Sequence, residues 1–286
     1  MALKNYVEQK VVLITGGASG FGFCLAKKCI ELGAKVILTD IDQDAIKKAL
    51  DQISAPEDLI IGLPCDVTDV EQVRQTVQEA LKSYSRIDVM VNNAGVMPLA
   101  FFADHTTAYH AWDACIDINF KGVLHGIIAV YDQMIAQGSG QVINISSIYS
   151  NFPVAGGGVY GATKVAVNFL SESLRVESQG RFKVTNVRPT GVPGTALANG
   201  IVNPAAVVGI LGQNMAAYQQ MLQAHPDSDV PAEHTTADSI ELLALDPEHV
   251  ADQIVYAINQ PLGVSVGDIT VRASGDAYIC LLYTSD

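Results

Sequence analysis

Short β-branched runs alternate along this chain with longer stretches in which apolar residues recur every three or four positions. Apolar runs of about five residues read as strands, and the i, i+3, i+4 recurrence reads as amphipathic helix. The strands drawn on this basis are VVLIT (11–15), KVILTD (35–40), LIIGLPC (59–65), VMVNNA (89–94), QVINIS (141–146), KVTNVRP (183–189) and DITVR (268–272). Helices fill the gaps, over 21–32, 43–53, 70–84, 109–137, 160–178 and 247–259. This alternation predicts an α/β fold, a parallel sheet covered by helices on both faces.

The rhythm breaks between Thr190 and Leu245, a stretch rich in Ala, Gly and Pro with one helical pattern over 207–223. A long excursion between two strands is expected to serve function, here as a lid or substrate-pocket insert at about 190–245. No linker, low-complexity tract or repeat marks a boundary, so residues 1–279 are read as a single domain. The final CLLYTSD (280–286) resembles a translated sequencing adapter, and no function is drawn from it.

Composition narrows the partners. A net charge of −13 repels phosphate backbones and anionic lipid surfaces, so nucleic-acid and membrane binding are not expected and a small molecule is. The opening MALKNYVEQK lacks a signal-peptide core, and no uninterrupted apolar run reaches bilayer length, which predicts a cytoplasmic protein. The five cysteines are scattered without C-x-x-C spacing and read as buried free thiols. His105, His110 and His125 lack metal-ligand spacing, so no metal is expected.

Directly after the first strand stands TGGASGFG (15–22), opening into a helix. Glycines in this place permit a tight turn, let backbone approach a pyrophosphate and set that phosphate at a helix N-terminus, so a dinucleotide is expected. The second strand ends in Asp40, whose carboxylate can accept from both ribose hydroxyls and repels a 2′-phosphate. With Ile41 next and no basic residue in the turn, NAD is preferred over NADP. A plainer reading has Asp40 only capping the following helix.

Further motifs now fall into one order, which resembles the short-chain dehydrogenase/reductase family. Thr15, Gly16, Gly20 and Gly22 match its glycine signature T-G-x-x-x-G-x-G, CDVTD supplies Asp66 and Val67, and NNAG covers 92–95. INFKG supplies Asn119, INISS supplies Ser147, and YGATK supplies Tyr160 and Lys164, with Ser147 thirteen residues before Tyr160. The resemblance spans Val11 to about Val271. It implies a doubly wound, Rossmann-like sheet of seven parallel strands and a homodimer or homotetramer, with the apolar VAVNFLSESL helix face as interface. It also implies cofactor contacts from Gly16, Ser19, Gly20, Phe21, Gly22, Asp40, Ile41, Asp66, Val67, Asn93, Ala94, Gly95, Tyr160, Lys164 and Val192. Catalysis is implied at Asn119, Ser147, Tyr160 and Lys164, with Ser147 and Tyr160 touching substrate.

The chemistry can be followed without the resemblance. A tyrosine with pKa of about 10 is a poor base at neutral pH, and a cation within a few ångströms lowers that value by roughly 1 to 3 pH units. Lys164, one helical turn from Tyr160, is placed to act so. The Ser147 hydroxyl can donate to a substrate oxygen as alkoxide charge develops. For Asn119 two readings stand: a water-holding relay partner of Lys164, as the resemblance implies, or a polar residue that bends its helix by competing for backbone bonds. One stretch departs from the family: RPTGVPGTAL has Thr190 in place of glycine and Pro193 inserted before Gly194. Val192 can still reach the nicotinamide amide through its backbone, while a contact from Thr195 is left open.

The activity expected is an NAD-dependent alcohol dehydrogenase or carbonyl reductase acting on secondary alcohols or ketones, in a pocket of Met97, Phe101, Tyr149, Phe152 and the insert. The alternatives are a 3-oxoacyl thioester reductase and a non-catalytic dinucleotide-binding regulator. An acidic carrier protein needs basic landing residues, yet no Lys or Arg lies between Arg188 and Arg272, leaving Arg175 to compensate. A regulator would be expected to have lost Ser147, Tyr160 or Lys164.

Overall fold

The computed structural model describes residues 4–207 and 232–276. Among these, seven strands form one sheet: β1 (Val11–Thr15), β2 (Lys35–Asp40), β3 (Ile60–Pro64), β4 (Val89–Asn92), β5 (Gln141–Ile145), β6 (Lys183–Pro189) and β7 (Asp268–Val271). All pairs are parallel, in the order β3-β2-β1-β4-β5-β6-β7. The order reverses direction at β1, and the crevice beyond the carboxyl ends of β1 and β4 is where an open sheet of this kind receives a ligand.

Crossover helices cover both faces. Val12, Ile14, Val36 and Leu38 point to a core shared with α1 (Gly20–Glu31), α2 (Gln43–Ile53) and α7 (Pro247–Ile258). Val11, Leu13 and Ile37 point the other way, toward α3 (Val70–Tyr84), α5 (Gly122–Gln137) and α6 (Gly158–Glu177). Successive strand residues thus bury on opposite faces, which is why the strands read as continuous apolar runs. Helix starts follow from capping: Asp42 accepts from the backbone N–H groups of Asp44 and Ala45, and Asp69 from those of Glu71 and Gln72.

The expected helix over 109–137 begins earlier and is not uniform. It runs as α4 (His105–Ile116), a π-helical turn at Asp117–Lys121, and α5. This stretch, from Phe102 to Gln137, is long and apolar enough to cross a membrane by length and composition, although Asp104, Asp113, Asp117 and Lys121 interrupt it, so it is not an uninterrupted apolar run. Part of its apolar surface packs within the fold, α4 lying on α6 and α5 on α3, while Phe102, Tyr109, Ile116 and Ile128 are exposed. Between β6 and β7 the described parts of the insert are short 3-10 turns at Ala196–Gly200, Pro204–Val207 and Ala232–His234. The helix expected over 207–223 lies, beyond Val207, outside the described residues, as does the 280–286 tail.

Candidate active site

The turn after β1 is built by glycines where nothing else fits. Gly16 (φ +59°) and Gly20 (φ +52°) occupy the left-handed region. A Cβ on Gly22 would stand 2.5 Å from the Gly16 carbonyl oxygen, so this glycine lets α1 close against the turn. Asn93 braces the same turn, its amide donating to the carbonyls of Thr15 (2.9 Å) and Gly16 (2.8 Å). Thr15 returns the link, its hydroxyl accepting from the N–H groups of Asn93 and Ala94. Ser19 caps α1 without a side-chain hydrogen bond, which leaves the helix's first N–H groups directed at whatever binds there.

A cavity of about 280 Å³ runs from this turn along the sheet edge. Its walls include Gly16, Ser19, Gly20, Phe21, Asp40, Ile41, Asp66, Val67, Asn93, Ala94 and Gly95, as expected, and no Lys or Arg is among them. Gly22 lies behind this wall, and Val192 lines the neighbouring cavity instead. Asp40 does not cap α2. Its carboxylate accepts from the N–H groups of Ala18 and Asp42, both at 3.3 Å, while Asp42 is the cap. A glycine cradle with no room for a Cβ, exposed N–H groups at a helix start and a carboxylate at the end of β2 together fit a dinucleotide.

Next to it lies a second cavity of about 190 Å³, lined by Ser147, Tyr160, Lys164 and Val192. Phe21, Asn93, Gly95, Thr195 and Leu197 line both cavities, so the two are contiguous. Ser147 follows β5, while Tyr160 and Lys164 occupy the first turns of α6, and all three side chains are at least nine-tenths buried. Tyr160 packs edge-on to Tyr149 with ring centroids 5.2 Å apart. The Lys164 ammonium donates to the Ile145 carbonyl at 2.8 Å and lies 5.7 Å from the Tyr160 ring centroid.

Burial governs the electrostatics of both groups. It pushes the Tyr160 phenol above its ordinary range, with the Ser147 hydroxyl pulling the other way. It also lowers the Lys164 ammonium, to about 8. Loss of hydration disfavours the charged form of each.

Asn119 sits within the π-helical turn and is fully buried. Its side chain spans to another segment: Oδ1 accepts from Val96 N–H (2.9 Å) and Nδ2 donates to the Val96 carbonyl (2.9 Å). The amide also reaches Thr163 Oγ1 and Cys115 Sγ, both at 3.3 Å. The bend expected from competition with its own helix backbone is thus not what the side chain does; it clamps the segment after β4. A Cβ on Gly95 would meet Asn119 Oδ1 at 3.2 Å and Lys164 Nζ at 3.6 Å, so these two groups flank the same glycine.

Of the expected pocket residues, Met97 and Tyr149 line this second cavity, whereas Phe101 and Phe152 do not. Phe101 packs instead against a satellite core that includes Leu99 and Tyr149. Leu197, Ala198 and Ile201, within the insert expected to line the pocket, do so, and Leu99 and Ile148 join them with nothing in their local pattern to distinguish them from core. Thr195, left open by the sequence, borders both cavities, with its methyl 3.4 Å from where a Gly20 Cβ would stand. The inserted Pro193 therefore does not carry it away.

Comparison with known proteins bears on this geometry. The short chain dehydrogenase family model matches residues 10–205. An uncharacterized oxidoreductase of Listeria innocua is 32% identical over 265 residues, covering 93% of this chain and 96% of that protein. Among solved structures, the closed form of serine dehydrogenase complexed with NADP+ is 29% identical, with TM-score 0.73 over 96% of this chain and all of that one. A short-chain dehydrogenase/reductase from Burkholderia phymatum in complex with NAD is 25% identical, with TM-score 0.72, covering 93% of this chain and 90% of that one. A glycine turn joined to a buried Ser-Tyr-Lys cavity on this sheet, matched by the family model over most of its length, establishes that the chain belongs to the short-chain dehydrogenase/reductase family of oxidoreductases.

Proposed function

We propose that this oxidoreductase interconverts a small secondary alcohol and its ketone, with NAD preferred over NADP. The observation that carries the reading is the contiguity of the two cavities, which brings Ser147, Tyr160 and Lys164 to the end of a dinucleotide-shaped cleft. Gly16, Ser19, Gly20, Phe21, Asp66, Val67, Asn93, Ala94, Gly95 and Val192 would hold the dinucleotide, with Asp40 and Ile41 at its adenosine ribose. When bound, it supplies the acceptor or donor of the two electrons.

Tyr160 acts on the hydroxyl proton of the substrate as acid or base. Ser147 donates a hydrogen bond to the same oxygen and steadies its developing charge. Lys164, with a pKa of about 8, still carries its charge at neutral pH and is close enough to favour the ionised phenol. Asn119 holds the strand-end segment at Val96 and completes a proton path from Lys164. The chain acts as a single domain over 1–279, with the described start of the insert, residues 190–207, lining the pocket.

The lining by Met97, Leu99, Ile148, Val192, Leu197 and Ile201 supports an apolar substrate. Lys164 is the one cationic side chain among the described lining residues, which disfavours a carboxylate-bearing substrate of the serine type. A carrier-bound thioester is also disfavoured. Arg175, the residue that could have compensated for the missing bases, is engaged with Glu172, the Gly267 carbonyl and Asp268 at the opposite sheet edge. Val165, Phe169 and Val176 form an exposed stripe on α6 that supports a homodimer or homotetramer, and a cytoplasmic setting belongs to the same proposal.

A panel of alcohols and ketones, assayed with NAD and NADP in parallel by the absorbance of the reduced nicotinamide, tests the reading. Turnover of secondary alcohols with NAD is expected. Tighter use of NADP overturns the role of Asp40, and dinucleotide binding without turnover of any substrate favours a non-catalytic regulator.

A further inference from the structure

Thr190 stands where the family pattern has glycine, and its side chain has a definite partner. It follows β6 and lines the catalytic cavity beside Pro189, Gly191 and Val192. Its hydroxyl donates to Asp276 Oδ2 at 2.6 Å, the length of a charge-assisted bond. The Asp276 side chain is fully buried and also accepts from Arg272, from Nε at 3.0 Å and Nη2 at 2.5 Å. The polar end of Thr190 is therefore engaged outside the cavity, with a segment beyond β7.

Two backbone bonds bring the returning arm of the insert to the same place. Leu245 N–H donates to the Gly191 carbonyl at 3.0 Å, and Gly275 N–H donates to the Leu242 carbonyl at 2.8 Å. A Cβ on Gly275 would stand 2.6 Å from the Glu241 carbonyl oxygen, so the two segments touch backbone to backbone. Cavity wall, returning arm and the segment after β7 thus form one unit, and the Thr190–Asp276 bond is a side-chain link between the wall and that last segment.

We propose that Thr190 is a specificity-determining residue: its bond to Asp276 fixes the β6-side wall of the cavity, and with it the insert's returning arm, so that small secondary alcohols are selected over bulky ones. A glycine there would remove both the anchor and the volume. A valine would keep the volume and leave the buried carboxylate without its hydroxyl donor, which is unfavourable in a dry setting and loosens the wall. The selectivity half of this proposal rests on the alcohol–ketone reading; the anchoring half does not.

Thr190→Val, Thr190→Ser and the parent are to be compared in two measurements. The first is the ratio of kcat/KM for a small and a branched, bulky secondary alcohol. Thr190→Val is expected to move this ratio toward the bulky substrate by about tenfold, the scale at which hydrophobic pockets discriminate by a group or two, and Thr190→Ser to keep the parental ratio. The second is amide hydrogen exchange, in which the Leu245 and Gly275 N–H groups of Thr190→Val are expected to exchange about tenfold faster while β4 and β5 stay protected. Unchanged exchange at both amides overturns the anchor, and faster exchange with an unchanged ratio overturns the specificity role. If the parent itself turns over no alcohol while the exchange response is seen, the functional reading fails and the anchor stands.

Discussion

Replacing Lys164 by methionine separates what the residue does for chemistry from what it does to stability. Lys164 is buried, and burial lowers its pKa from 10.5 to about 8. Between those values the unfolded chain binds more protons than the folded one, so the contribution of Lys164 to stability improves as pH rises through that window; below it the burial penalty is present in full. At about 1.36 kcal/mol per pH unit, the drop corresponds to roughly 3 kcal/mol. Methionine keeps the length and removes the charge, while giving up the hydrogen bond to the Ile145 carbonyl, worth about 1 kcal/mol. Urea unfolding at about pH 7 is therefore expected to show Lys164→Met more stable than the parent by roughly 2 kcal/mol, with the gap falling below about 1 kcal/mol near pH 9.5. Lys183, also lowered to about 8 by burial, titrates in the same window but is present in both proteins and cancels in the difference. A variant less stable than the parent at neutral pH, or a gap independent of pH, would refute the reasoning. Turnover is expected to be lost in the same variant, a gain in stability set against a loss of function.

Tyr160→Phe keeps the ring against Tyr149 and removes the hydroxyl; steady-state turnover is expected to fall by about 10²- to 10⁴-fold with dinucleotide affinity retained, and a near-parental rate would exclude Tyr160 as acid/base. Asp40→Ser removes the charge that repels a 2′-phosphate, so the kcat/KM ratio for NADP over NAD is expected to rise by about tenfold or more; an unchanged ratio would place selectivity elsewhere. Gly22→Ala sets a Cβ 2.5 Å from the Gly16 carbonyl, an overpacking of about 1–3 kcal/mol, and calorimetry is expected to show a lower Tm together with weaker dinucleotide binding.

Period and spacing carried most of the fold, because parallel strands buried on both faces leave apolar runs, and capping residues such as Asp69 mark helix starts. The glycine turn was equally legible, since Gly16 and Gly22 are demanded by close backbone approach. What could not be read depends on contacts distant in sequence. Asp40 and Asp42 are equivalent caps on paper, and only the position of Ala18 N–H shows which carboxylate turns toward the glycine turn. Asn119 leaves two readings open in the sequence, and its bonds to Val96 come from a segment 23 residues away. Phe101 and Leu99 are both apolar residues near the cavity, and which one lines it is set by packing rather than pattern. The burial that shifts both Tyr160 and Lys164 depends on packing, which a four-residue spacing does not reveal.

The π-helical turn at Asp117–Lys121 also governs which changes of length this chain can accept. A π turn holds one residue more than the α-helical ladder requires, so deleting a residue there would restore regular hydrogen bonding. Such a deletion would keep α4 and α5 in phase, because the widened turn already absorbs the rotation of about 100° that one more α-helical residue would add. The face of α4 that lies on α6 and the face of α5 that lies on α3 would stay buried together. The same deletion inside α4 or α5 would turn those faces apart, so the π turn is where this helix accepts a change of length by one residue.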